Sequence, residues 1–246
     1  MKKKLEHITF AFFCLCLFNA CSKDKEFDCL KSTGKITMQD RYFQNFNTII
    51  VEDNINLVLM QSLPGKVIIE AGENLEYKID CKQNGNVLTV QNKNTCNWVR
   101  KFDIPVNVYV GVDQIKNISQ NGYGTISAGE YIKTDTIQIF NLSYGSTNLS
   151  IDAAFVGFIA DNYSTFTLSG KANKVAGRCF QNASTDTRNM KAAWVYMINT
   201  SLLDAKIYCD SLLQTDIEGN GSIICIGNPG IIQPKHPSGN GSLQFQ

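Results

Sequence analysis

The 246-residue chain predicts an all-β fold, a parallel β-helix with coils of about 20 residues and an irregular β cap at its N-terminal side. Three observations carry that expectation. A turn-like word recurs seven times through the second half. It reads Gly122-Tyr123-Gly124-Thr125-Ile126, Ser143-Tyr144-Gly145-Ser146-Thr147 and Asn162-Tyr163-Ser164-Thr165-Phe166. Degenerate copies stand at Asn182-Ala183-Ser184-Thr185-Asp186 and Thr200-Ser201-Leu202-Leu203-Asp204. Sharp ones return at Gly219-Asn220-Gly221-Ser222-Ile223 and Gly239-Asn240-Gly241-Ser242-Leu243. Their third residues fall at 124, 145, 164, 184, 202, 221 and 241. A fixed period of this length is the mark of a solenoid. The segments between the words alternate polar and apolar, as in Thr136-Ile137-Gln138-Ile139-Phe140 and Phe155-Val156-Gly157-Phe158-Ile159, which is strand periodicity. No stretch after residue 21 has helical periodicity. So short a repeat also leaves no room for a strand, a crossover helix and a second strand.

Taken from the N-terminus, Lys2-Lys3-Lys4 and the short apolar run Ile8 to Phe18 form a secretory signal, too short to span a bilayer. Ala20-Cys21 follows, resembling the lipobox of bacterial lipoproteins, in which the Cys becomes the lipid-modified first residue; Leu17 sits one place upstream of the usual Leu. The alternative is an ordinary cleaved signal with Cys21 incidental. On the lipoprotein reading residues 1–20 are the signal, 21–34 a tether and 35–246 one continuous domain, the cap or first coils spanning 35–110 and the repeats 111–246. The polar stretch Ser22-Lys23-Asp24-Lys25-Glu26 resembles the signal that sends Bacteroidota lipoproteins to the cell surface, so the expected place is the cell envelope, as an outer-membrane lipoprotein exposed at the surface.

Residues 35–110 do not carry the repeat word. They read as longer strands at 48–51, 56–60, 66–70, 77–80, 87–90 and 106–110, with Asn84-Gly85 as a hairpin turn and Pro64-Gly65 as another. A solenoid end exposes unpaired strand edges, and this segment is expected to cover one or to form the first irregular coils.

Without residues 1–20 the chain keeps 20 basic and 21 acidic residues, a net charge of −1 that argues against a nucleic-acid partner. Six cysteines remain beyond Cys21: Cys29, Cys81, Cys96, Cys179, Cys209 and Cys225. An exported protein admits disulfides, and Cys81 with Cys96 is the best single pair, although Leu88 is expected directly opposite Cys81 across the hairpin. Cys179, Cys209 and Cys225 lie in apolar runs and read equally well as buried small hydrophobes.

No catalytic set, metal site or cofactor site emerges. His236 is the one histidine after the signal and sits in a Pro-flanked loop; no zinc spacing and no phosphate-cradling loop is present. Asp186 and Asp204 fall two residues after successive anchors, with Arg188 near, so a paired-carboxylate glycosidase or lyase site is the enzymatic alternative. Tyr123, Tyr144 and Tyr163 hold the same place in three successive words. If each repeat is one coil they form a row of rings on one edge, suited to a sugar or peptide ligand, or serving only to stiffen the turns. If two repeats make a coil, only Tyr123 and Tyr163 share an edge.

These residues together resemble a family, the Bacteroidota adhesins with the head GIN domain. Its opening Arg and Phe-x-x-Ile-x-Val are resembled by Arg41 and Phe46-Asn47-Thr48-Ile49-Ile50-Val51, its strand ending in Gln by Leu57 to Gln61, and its Val-x-Val-Glu and Asn-Leu by Val67 to Glu70 and Asn74-Leu75. The repeated Gly-Ser-Gly-Asp-Ile turn is similar to Gly122 to Ile126 and its copies, and the closing Gly-x-Pro to Gly227-Asn228-Pro229. Tyr replaces the middle Ser three times. The resemblance, over about residues 35–246, implies a right-handed β-helix shaped like the pectin lyases but without their catalytic residues, and a role in adhesion. The expectation is a non-catalytic envelope lipoprotein, lipid-anchored to the membrane through Cys21, binding a glycan or host matrix ligand at Tyr123, Tyr144 and Tyr163. A carbohydrate-active enzyme and a structural protein that acts by self-association into oligomers are the alternatives.

Overall fold

The computed structural model describes residues 32–94, 105–235 and 238–246. The signal, Cys21, most of the tether, Cys29, Cys96 and His236 lie outside the described residues. The described strands hydrogen-bond into one sheet wound as a solenoid of about seven turns, with no α-helix among them.

The chain begins with β1 (Ile36–Tyr42), β2 (Thr48–Val51) and β3 (Asn56–Met60). It continues through β4 (Lys66–Gly72), β5 (Ile79–Asn84), β6 (Val87–Asn92) and β7 (Asn107–Gly111) before reaching β8 (Asn117–Gln120) and β9 (Thr125–Ala128). The long strands β10 (Ile132–Asn141), β11 (Ser146–Ala160), β12 (Thr165–Cys179) and β13 (Ser184–Asn199) follow. Shorter ones close the chain: β14 (Ala205–Tyr208), β15 (Leu212–Ile217), β16 (Ile223–Ile226), β17 (Ile231–Pro234) and β18 (Leu243–Phe245).

One repeat is one coil. Ile132 pairs in parallel with Ile151, Ile151 with Gly170 and Gly170 with Met190, steps of about 19 residues. Alternation then places one residue in two inside, so like positions stack. Ile137, Val156, Val175, Val195 and Leu213 form one such inner row, each 2% exposed or less. β-branched side chains suit these positions because their stiff χ1 packs flat against the neighbouring coil.

The N-terminal segment supplies both a regular coil and a cap. β2 and β3 are a regular coil, lying in register against β8 and β9, so Thr48 pairs with Asn117 and Leu57 with Ile126 much further along the chain. The turn between them, Glu52-Asp53-Asn54-Ile55, is an eighth copy of the repeat position, without glycine; Asp53 supplies the left-handed conformation at φ 61°. The intervening chain leaves this coil to build the cap and then returns. β6 and β7 pair in parallel with β2 and β3 on the outer side, and β1, β4 and β5 close over them as antiparallel strands. Glu76–Lys78, expected to open a strand at Tyr77, forms one 3-10 turn, and β5 begins at Ile79. Across the Asn84-Gly85 hairpin Cys81 faces Val90, not the expected Leu88.

Among the described residues the C-terminal end carries no such cap. Ile232 continues the inner row from Leu213 but is 44% exposed, and Phe245 is 48% exposed. Backbone pairing at this edge is blunted by proline. Ile231 and Lys235 donate their amides inward to Ser211 and Thr215, so residues 232 and 234 face the open side, and Pro234 has no N–H to offer.

Candidate functional site

The coil turns put the three tyrosines on one edge, and the sequence around each turn explains how. At the first, glycine is required by close approach: a Cβ on Gly124 would lie 1.8 Å from the Ile55 carbonyl oxygen. With residues 122 and 124 held against the previous coil, Tyr123 between them can only point out. The turn is pinned from inside by the residue that ends the preceding strand. Gln120, fully buried, donates its amide to the Gly124 carbonyl; Asn141, one coil on, donates to Gly145 O at 2.9 Å. In the third coil Ala160 takes that inner place, and Asp161 Oδ1 instead accepts the Asn162 amide at 2.6 Å, with Asn162 in the left-handed region at φ 57°.

The three rings form an offset ladder. Tyr123 and Tyr144 have centroids 5.8 Å apart at 23°, and Tyr144 and Tyr163 are 5.6 Å apart at 8°. Each stays exposed, at 68%, 56% and 61%. The rings partly cover one another, so the row presents edges, hydroxyls and partial faces to solvent rather than three free faces. Asn54 and Asn182 occupy the same register position beyond the two ends, since Tyr123 N bonds Asp53 O and Asn182 N bonds Asn162 O.

The fourth turn corrects two anchors. Thr165 pairs with Ser184, so Ser164 is matched by the buried Ala183, not by Ser184. Thr185 pairs with Ala205, which sets Asp186 beside Lys206 and leaves Asp204 two residues earlier, level with Ser184. The two carboxylates therefore do not share a register position. Each is engaged: Asp186 accepts Arg188 Nε at 3.0 Å and Nη2 at 2.6 Å, and Asp204 accepts the Ser222 amide at 2.8 Å. The Arg188 guanidinium holds the Asp186 carboxyl below the usual carboxylate range, the wrong direction for a general acid.

Cys179, Cys209 and Cys225 are free and fully buried, and burial pushes the Cys179 thiol up to about 12 and the Cys225 thiol up to about 11. Cys81 is a free, half-buried thiol, while Cys96, its expected partner, lies outside the described residues. Among the described residues no group of three or more His, Cys, Asp or Glu could hold a metal ion.

A second corner went unread in the sequence. Lys133, Asp152, Lys171 and Lys191 stand in register on four successive coils and line a groove of about 730 Å³ with Gln61, Glu130 and Tyr131. Their spacing matches the period of the turn words, and that match is the signal that could have found them.

The sequence profile described as "Putative auto-transporter adhesin, head GIN domain" matches residues 45–229. The chain belongs to this family. Three solved structures share its fold. A putative adhesin from Bacteroides fragilis has a TM-score of 0.72 at 17% identity, over 86% of this chain and 97% of that one. A putative adhesin from Parabacteroides merdae has 0.66 at 19%, over 87% and 98%. A putative lipid binding protein from Parabacteroides distasonis has 0.63 at 13%, over 87% and 98%. At these identities the likeness establishes fold alone. No curated protein matches the chain. Membership in an adhesin family points to the cell surface or envelope.

The words that resemble the family have structural tasks. Arg41 donates to the Ile79 carbonyl at 2.8 Å and to Gln39, tying β1 to the start of β5. Gln61 brackets the backbone of Lys133, accepting its amide at 2.9 Å and donating to its carbonyl at 2.7 Å. Gly227 turns at φ 113°, where a Cβ would lie 2.3 Å from Cys209 O.

Proposed function

We propose that this chain is a non-catalytic adhesin of the cell envelope, anchored by lipid on Cys21, that holds an extracellular glycan or host matrix ligand at Tyr123, Tyr144 and Tyr163. The observation that carries the reading is the exposed ladder itself. Three aromatic side chains are kept out of the core on glycine- and amide-pinned turns, stacked on one another yet left exposed, with Asn at the register position beyond either end. Ring edges and hydroxyls recurring at the coil spacing suit a polymer whose units repeat along the row. The non-catalytic part rests on Asp186 and Asp204, each occupied by a partner of its own. The anchor rests on Ala20-Cys21 behind the apolar run.

The test is a glycan and matrix-protein array, with a lipid-vesicle arm, probed with residues 22–246 and with the same chain carrying Tyr123→Ala, Tyr144→Ala and Tyr163→Ala. Binding by the first and not by the folded second supports the reading; equal binding by both removes the row as the site. Reducing-sugar release from a polysaccharide panel, lost in Asp186→Asn, would replace it with the enzymatic reading. Incorporation of an alkyne-labelled fatty acid, lost in Cys21→Ser, tests the anchor.

A second reading, self-association, is favoured by the open C-terminal end with Ile231, Ile232 and Phe245 exposed. Pro234 opposes it by removing an edge donor. A monomer mass that does not change with concentration in sedimentation counts against it.

A further inference from the structure

The lysine corner lies at the start of β10 and in the middle of β11, β12 and β13, away from the tyrosine turns, and argues independently of them. Lys171 and Lys191 are direct register partners on adjacent parallel strands. Like charges so placed repel, and an anion seated between them would relieve that repulsion. Within the chain the relief is incomplete. Asp152 reaches Lys171 at 3.3 Å, while Lys191 has no carboxylate partner among the described residues and lies 3.6 Å from the Tyr208 ring centroid. Lys133 Nζ has no hydrogen bond or ion pair among the described residues.

Two of the acids nearby are already engaged, while Asp135 lines an adjoining pocket with Lys133 and Asp152. Glu130 accepts the amides of Gln61 at 2.6 Å and Ser62 at 2.9 Å, and Asp210, beyond Lys191, accepts the Tyr208 hydroxyl at 2.6 Å. The groove these side chains line is open and runs along the solenoid axis. Three coil steps of about 4.8 Å separate Lys133 from Lys191, a run of about 14 Å. Tyr131, 58% exposed, forms an apolar wall beside it, and Gly170, at φ 111°, leaves its floor without a side chain.

We propose that this groove binds an anionic polysaccharide, with an acidic group of the chain seated between Lys171 and Lys191 and a sugar ring against Tyr131. A linear polymer fits better than a compact anion, because the cationic positions are spread along an open-ended groove instead of converging on one point. Carboxylates of a uronate and sulfates of a sulfated glycan share the required chemistry.

The test is calorimetric titration of the full chain in detergent micelles with polygalacturonate, with heparin, with neutral dextran and with inorganic sulfate. Binding of either acidic polymer, weakened by added salt and reduced at least tenfold in Lys171→Gln/Lys191→Gln, is the expected result; which polymer binds identifies the acidic group. Binding of dextran as tight as that of the acidic polymers, equal affinity for sulfate and polymer, an unchanged affinity in the double variant, or no binding of either polymer overturns the proposal. The double variant should melt no lower than the parent, since it removes a repulsion. A variant that melts lower is replaced by Lys191→Gln alone, for which the same tenfold loss is required. The variant lacking the three tyrosine rings should retain this binding, so failure here and failure of the tyrosine row are distinguishable.

Discussion

Asn199 offers a measurable test of how the coils are held. Its side chain is fully buried and sits where a strand meets a turn. Nδ2 donates to the carbonyls of Leu203 at 3.1 Å, Gly221 at 2.9 Å and Ser222 at 3.2 Å, and Oδ1 accepts the Ser201 amide at 3.1 Å. Two N–H groups shared among three acceptors, plus one accepted bond, amount to about three net bonds, or about 3 kcal/mol at ~1 kcal/mol each. If water cannot reach the orphaned Ser201 amide, its desolvation adds about 1–3 kcal/mol. Alanine itself fits this place, because Ala160 holds the same inner row two coils earlier, paired through Cys179. The loss in Asn199→Ala therefore reports hydrogen bonds and not shape. Urea unfolding followed by circular dichroism should show a stability loss of about 3–6 kcal/mol with an unchanged m-value. A loss under about 1 kcal/mol would refute the reasoning, because solvent would then be replacing the side chain at no cost. Asn199→Asp, which would bury a carboxylate against the carbonyl oxygens of Leu203, Gly221 and Ser222, should lose more than Asn199→Ala at neutral pH.

Two further outcomes follow from the same geometry. The amides of Ser62 and Gln61 hold the Glu130 carboxyl below its usual range, so its stabilising effect is full above the unfolded-state value and fades as pH falls through the folded-state one. Glu130→Gln should thus lower the melting temperature near neutral pH and leave it unchanged in strong acid, which a pH series of thermal melts checks. The thiols of Cys179 and Cys225, raised by burial, should resist a pulse of iodoacetamide at mildly alkaline pH in the native protein and react fully in denaturant, as read by peptide mass mapping.

Much of this protein was legible in its sequence because it is built by local rules repeated many times. Alternation gives strands, and glycine or asparagine at a fixed interval gives turns, so the solenoid, its period and the outward place of Tyr123, Tyr144 and Tyr163 follow from steric preferences that act within a few residues. Local words fail where two short side chains do the same job. Ala183 and Ser184 are both small, and only interstrand hydrogen bonding sets Ala183 as the inner one, which moves Asp186 out of line with Asp204. The coil of β2 and β3 was invisible because Asp53 takes the left-handed turn without glycine, and because the whole cap separates it in sequence from its neighbour coil. One repeat per coil, the stacking of the tyrosines and the meeting of Lys171 with Lys191 are questions of register between distant segments. Register is decided by which buried rows pack together across coils, a property of the wound chain that no single strand encodes.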